Sequence, residues 1–243
     1  MIQDFFTALQ FLTRLQFVTQ TTWSPESFGR SVKYFPAVGA VIGVILAAVA
    51  YISAPYVPPA VLAAGLIALE IILTGGLHGD GLMDTADGIF SGRSQERMLE
   101  IMKDSRTGAN GVMAFVLVAL MKWSLLMELA APTRTAALLI MPVLSRFAMV
   151  AAITLFPYAR PEGIGKAFAQ YAGKQSLVFA SVVTIMAVAA CSLTAWVSLG
   201  AVLLFVLLFG SYVKKILGGL TGDVYGAITE TSNLIVLAVY LVV

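Results

Sequence analysis

The sequence predicts an all-α fold: a polytopic membrane helix bundle of six to seven transmembrane helices, preceded by an N-terminal interfacial helix. Three observations carry this reading. Of 243 residues, 59% are hydrophobic and only 12% charged, about half the roughly 25% charge of a soluble globular domain. Mean hydropathy is +0.91, and apolar stretches suited to the roughly 20 residues that cross a bilayer recur along the chain. The connections between those stretches alternate between long and short. No segment remains for a soluble domain, so residues 1–243 form one integral-membrane unit.

Residues 2–18 carry Phe5, Leu9 and Leu12 on one helical side, widened by Phe6, Phe11 and Leu15, which suits a helix lying in the membrane interface. Asp4, Gln10, Arg14 and Gln16 interrupt the apolar residues, so the segment does not read as a cleaved signal peptide. Apolar spans follow at about 37–54, 60–77, 111–130, 135–156, 177–196 and 198–213. A closing stretch at 231–243 is too short to cross unless its helix begins near Val224 and takes Glu230 into the bundle. Gly39 and Gly43 sit one turn apart and allow a neighbouring helix close.

The connections at 55–59 and 196–198 are short and uncharged, whereas those at 78–110, 157–176 and 214–230 are long and polar. The N-terminal segment and these three loops hold twelve of the fifteen Lys and Arg residues. Basic residues gather on the cytoplasmic side of membrane proteins, which puts the N-terminus and the long loops there. Lys122 and Arg146 are exceptions inside apparent spans, and Arg134 lies in the opposite loop. The net charge is +2 with the basic residues dispersed, so no nucleic-acid partner is expected. A lone cysteine, Cys191, excludes an internal disulfide framework and a multi-cysteine metal site.

The chemistry concentrates in residues 78–111, which hold ten of the twenty-eight charged residues and the sole histidine. Asp80, Asp84 and Asp87 stand at i, i+4 and i+7, so a helix projects all three from one face. Like charges at that spacing repel, and a hard divalent cation is the natural compensation. Mg²⁺ keeps places for water and substrate phosphates, which matches the triplet to a diphosphate held through metal. Gly88 and Gly92 are expected to interrupt this helix, with Ser94 capping a second, amphipathic one over 95–104. On it, Glu100 and Asp104 form a further acidic pair able to face the triplet, with Arg93, Arg97, Lys103 and Arg106 available to phosphate. The bland alternative for this helix is a solvated face with salt bridges such as Glu96–Lys103 or Arg97–Asp104.

His78, two residues before Asp80, reads either as a polar boundary residue or as a general base, with the aspartate favouring its imidazolium form. Two further constellations share the face. Lys214 and Lys215 precede a glycine-rich run with Asp223 and Glu230, which offers amides and carboxylates to a nucleotide or, more simply, a Gly218 helix stop and a cap from Thr221 or Asp223. Arg160 and Lys166 bracket a loop able to meet phosphate or to anchor topology. Arg146 should face the bundle interior, paired with Glu70 or with a substrate phosphate.

The run TGGLHGDGLMDTADGIFSGRSQERMLEIMKDSRTGANG at 74–111 resembles the signature of the cobalamin synthase family, the adenosylcobinamide-GDP ribazoletransferases. The resemblance extends to FLTRL at 11–15, FPAVGAVIG at 35–43, Ser145 with Arg146, YARPEGIG at 158–165, and GGLTGD at 218–223 with Glu230. Gly79 and Met83 depart from the larger apolar residue and the alanine more usual there, a change in packing rather than chemistry. The resemblance implies a Mg²⁺-dependent multi-pass enzyme of the bacterial inner membrane with its active-site loops in the cytoplasm. It implies transfer of adenosylcobinamide phosphate from adenosylcobinamide-GDP to a hydroxyl of α-ribazole or its 5′-phosphate, with release of GMP. By motif position, Asp80, Asp84, Asp87 and Asp104 hold Mg²⁺ and His78 is the base. Arg93, Lys103, Arg106, Arg146, Arg160, Asp223 and Glu230 are the candidates on the substrate side. A complex with other enzymes of nucleotide-loop assembly stays open.

Two other readings compete. A CDP-alcohol phosphotransferase-like or prenyltransferase-like enzyme also sets spaced aspartates at a membrane face, but the Gly-x-x-x-Asp-x-x-x-Asp spacing of the former is not reproduced. A divalent-cation or substrate transporter predicts acidic residues near the middle of spans, whereas the triplet follows the end of the second.

Overall fold

The structure, a computed structural model, describes residues 2–18 and 23–243. Helix α1 (Ile2–Leu12) packs through Ala8, Leu9 and Leu12, and its buried Asp4 accepts hydrogen bonds from Arg30 (3.3 Å) and Lys33 (3.4 Å). It ends short of residue 18, because the chain turns at Thr13 and the Arg14 N–H donates to the carbonyl of Leu73 at 2.7 Å. A short helix, α2 (Pro25–Ser31), opens on a capping box between Ser24 and Ser27 and runs through a 3-10 turn (Val32–Tyr34) into α3 (Phe35–Ser53).

The next helix, α4 (Pro59–Thr74), stops earlier than its apolar run suggests. Gly75 and Gly76 both take left-handed φ, 65° and 72°, which side chains resist, and the chain leaves at 92° as α5 (Leu77–Phe90). Thus the first half of the predicted polar loop is a helix, and most of it is buried. Gly88 does not interrupt it, since the space a side chain would need is filled by Met102. The turn comes at Gly92 (φ 63°), and α6 (Gln95–Ile101) is shorter than expected.

After α6 come α7 (Ala109–Glu128), α8 (Ala131–Leu155), α9 (Ile164–Tyr171) and α10 (Lys174–Ala189), with α9 and α10 at 91° to each other. Two long helices close the chain, α11 (Leu193–Leu217) and α12 (Gly222–Val242). The turn before α11 lies at 190–192, not at 196–198: Ser192 takes the extended N-cap conformation, and Trp196 continues the helix. The C-terminal segment is a full helix of 21 residues beginning at Gly222, long enough to cross, with Thr221 accepting from the Val224 N–H at its start.

Among the described residues five helices are long and apolar enough to span a membrane, or up to seven if each bent pair, α4 with α5 and α9 with α10, counts as one span. Helix α8 is at the centre, apolar and buried almost all round. Gly39 and Gly43 bring α3 against it so closely that an added Cβ would lie 2.3 Å from the Pro142 carbonyl oxygen or 2.4 Å from that of Leu139. The remaining exposed surface of the spans is apolar, including Val116, Leu117 and Leu120 of α7 and Leu204, Leu207 and Leu208 of α11, the surface a lipid bilayer would cover.

Contacts among the long connections place them on one face. Phe11 meets Phe28 and Phe168, Gln95 donates to the carbonyl of Leu217, and Tyr158 pairs with Leu220. On that face α5 lies across the starts of α7 and α12, at 92° to α4 rather than in line with it. Its Gly81 fits against the backbone of Asp223, and Gly226 of α12 fits against that of His78.

Candidate active site at the loop face

The triplet on α5 divides into two uses. Asp87 is buried, and its carboxylate accepts from the N–H groups of Gly108 (2.7 Å) and Gly111 (2.8 Å), the first turn of α7. It therefore caps the unpaired amides of that helix. Asp80 is exposed and Asp84 half-buried. Burial, followed by the charges of Asp223 and Asp80, pushes Asp84 up to about 7. Asp223, from the first turn of α12, thus joins the α5 carboxylates. It accepts from Arg160 at 2.7 Å and from the Thr221 hydroxyl at 3.3 Å.

His78 is 2% exposed, and its Nε2 has no hydrogen-bond partner. Desolvation, then the positive charges of Arg146 and Lys122, hold it well below the usual histidine range. This reverses the sequence expectation that Asp80 favours the imidazolium: packing against α12 removes the ring from water, and cations lie beneath it.

Two cavities open beside α5. One, of about 410 Å³, is lined by His78, Asp80, Lys103, Tyr158, Arg160 and Asp223, and by the amino ends of α9 and α12. The other, of about 600 Å³, lies between α1, α4 and α7 and reaches down to Glu70, Lys122 and Glu230. Asp80, Leu77 and Phe11 line both.

Beneath them is a buried ion network. Lys122 donates to Glu70 at 2.9 Å and to Glu230 at 2.7 Å, Asn233 donates to Glu70 at 2.9 Å, and Arg146 Nη1 lies 4.0 Å from Glu70. Arg146 faces the interior as expected and is fully buried, with Nε and Nη2 unpaired. Glu230 enters the bundle through α12. Spans do carry acidic groups, as the expected pairing of Arg146 with Glu70 and the entry of Glu230 into the bundle require, and Lys122 and Arg146 are there to neutralise them. Lys122 and Asn233, polar residues within apolar runs, are the sequence signal for this network.

The second acidic pair does not face the first. Glu100 accepts from Arg97 at 2.7 Å, and Asp104 accepts from Arg106 at 2.7 Å, both on the exposed surface. Hydrogen bonds from Arg106 draw Asp104 down to about 2. The salt-bridge reading of this segment holds, with other partners than Glu96–Lys103 or Arg97–Asp104. Arg93 is exposed at the turn after α5, away from both cavities. The structure therefore brings together His78, Asp80, Asp84, Lys103, Arg160 and Asp223, with Tyr158 as an addition. It gives Asp87 to a helix cap, Asp104 and Arg106 to each other, and Arg146 and Glu230 to the network below.

Fold and site together define a polytopic membrane protein with a site of carboxylates and cations at its loop face. The chain belongs to the cobalamin-5-phosphate synthase family, whose model matches residues 4–241. It is similar to the adenosylcobinamide-GDP ribazoletransferase of Desulfitobacterium hafniense strain Y51, 41% identical over 236 residues that cover 95% of this chain and 93% of the relative. The protein of the same name from Desulforamulus reducens is 45% identical over 92% of this chain and 90% of its own length. That of Fusobacterium nucleatum is 35% identical over 100% of this chain and 98% of its own. No solved structure matches.

Proposed function

We propose that this chain is a Mg²⁺-dependent adenosylcobinamide-GDP ribazoletransferase of the cytoplasmic membrane, with its site facing the cytoplasm. The observation that carries the reading is the smaller cavity, where Arg160 and Lys103 stand with Asp80 and Asp223 beside two helix amino ends. Unpaired amides at such ends and basic side chains favour a phosphate-bearing ligand. Among the described residues no group of three His, Cys, Asp or Glu could hold a metal ion by itself. Mg²⁺ ordinarily takes one or two carboxylates and completes its shell with water and substrate phosphate. Asp80 and Asp84 fit that demand, because Asp84 stands among carboxylates whose charge only Arg160 offsets. When bound, the cation shields the charge of the diphosphate.

The residues supply the rest. Arg160 and Lys103 hold phosphate oxygens. His78, neutral and with Nε2 unpaired, takes the proton of the attacking ribose hydroxyl as its oxygen bonds to the cobinamide-bearing phosphorus. The phosphorus–oxygen bond to GMP breaks in the same displacement. Purified protein in lipid nanodiscs, given adenosylcobinamide-GDP, α-ribazole and Mg²⁺, should release GMP and form the joined corrinoid. No GMP release under these conditions, from protein that elutes as a folded species, overturns the proposal.

A further inference from the structure

The larger cavity has a different chemistry from its neighbour. Its walls are apolar, from Ile67 and Ile71 of α4, Met83 of α5, and Phe115, Val118 and Ala119 of α7. Its floor is polar, with Lys122 already donating to Glu70 and Glu230, and Gln10, Thr13 and Arg14 line it as well. For a ligand there remain the donors of Arg14 and the acceptor capacity of Glu230, which is engaged through Oε2 and can offer its other oxygen to a hydroxyl. Gly79 bears on the shape, because a Cβ there would lie 2.8 Å from the Phe115 ring and displace it. The volume of about 600 Å³ lies within the range of small-molecule sites and accommodates a ligand of nucleoside size.

We propose that this cavity is the acceptor site, taking the benzimidazole ring of α-ribazole against Ile67, Phe115 and Val118, with one ribose hydroxyl toward Glu230 and the attacking one at the Leu77–Asp80 junction, where the cavity meets the one that His78 lines. The assignment rests on the reaction proposed above. Displacement at phosphorus requires the nucleophile and the leaving group on opposite sides. Two cavities that meet at Leu77 and Asp80 provide separate approaches, with the diphosphate held by Arg160 and Lys103 in the smaller one. An aromatic ring gains from apolar walls, and its ribose hydroxyls find the carboxylates.

The test measures binding apart from turnover, with full-length protein in nanodiscs and equilibrium dialysis of labelled α-ribazole and, separately, of GMP with Mg²⁺. Ala119→Phe fills the larger cavity and should weaken α-ribazole binding at least about tenfold while GMP binding changes less than about twofold. Wild-type affinity for α-ribazole in that variant overturns the assignment. Should the variant lose both ligands, photolabelling of the wild type with an azidobenzimidazole riboside decides. Label in 67–71 or 115–119 supports the assignment, and label confined to 164–168 or 222–226 overturns it. A wild type that binds α-ribazole and releases GMP while labelling elsewhere sinks this inference alone. A wild type that binds neither ligand and releases no GMP sinks the reaction as well.

Discussion

Three aspartates spaced for one helical face turn out to have unequal work. Asp84 stands with Asp80 and Asp223, whereas both oxygens of Asp87 are engaged by α7 amides. Asp84→Asn should therefore abolish turnover while the protein still inserts and keeps its thermal stability, as GMP release and a melting curve on the same sample would show. Near-normal turnover with Mg²⁺ excludes Asp84 as an essential ligand. Asp87→Ala should do the reverse in kind, costing about 1 kcal/mol through the lost cap and lowering the melting temperature. An unchanged melting temperature would mean that the cap is dispensable. His78→Ala should lower kcat by roughly 10²–10⁴-fold with little change in KM, the usual range for acid–base catalysis. A variant that keeps its rate returns His78 to a packing role and moves the search for a base to Asp80.

At the level of elements, the helices are held in register by charges that apolar packing alone would not require. Lys122 of α7 ties α4 to α12 through Glu70 and Glu230, and Arg146 of α8 lies beside them. Removing one partner from a buried pair leaves its counter-charge uncompensated, typically at about 3–5 kcal/mol. Lys122→Met should lower the unfolding temperature in detergent strongly, and Lys122→Met combined with Glu230→Gln, which keeps Glu70 opposite Arg146, should recover part of the loss. If the double variant is no more stable than the single one, the network is not what the lysine serves. The helix assignments show where local sequence was enough. Apolar length and the Gly39/Gly43 pair give α3 and its close contact with a neighbouring helix, but the same reading runs α4 past the left-handed Gly75 and Gly76 and sets the helix of the aspartates in an exposed polar connection, whereas α5 is largely buried. Periodicity reports apolar faces, and α5 buries glycines, an aspartate and a histidine instead.

For the whole molecule, the long connections gather on one face and the short turns at 54–58, 129–130 and 190–192 lie between the spans at the other. The basic residues follow the long connections, so that face should be cytoplasmic. Replacing Cys191 and introducing a single cysteine at the exposed Ser94 checks this with a membrane-impermeant thiol reagent. Labelling from the cytoplasmic side of inverted vesicles is expected, and labelling only of intact spheroplasts from outside would reverse the topology.

By itself the sequence determined that the chain is a membrane helix bundle, that its polar connections share a face, and that its charged residues concentrate around Asp80. These follow from composition, period and local charge, which need no knowledge of neighbours. Only the tertiary structure decided which aspartates remain available, because a carboxylate's role depends on donors far along the chain, as the amides at 108 and 111 do for Asp87. It alone set Asp223 against Asp84, buried His78 above Arg146, and joined Lys122 to Glu70 and Glu230. Such pairings are fixed by the crossing of helices, and the low dielectric of the bundle then makes each charge depend on the partner it meets.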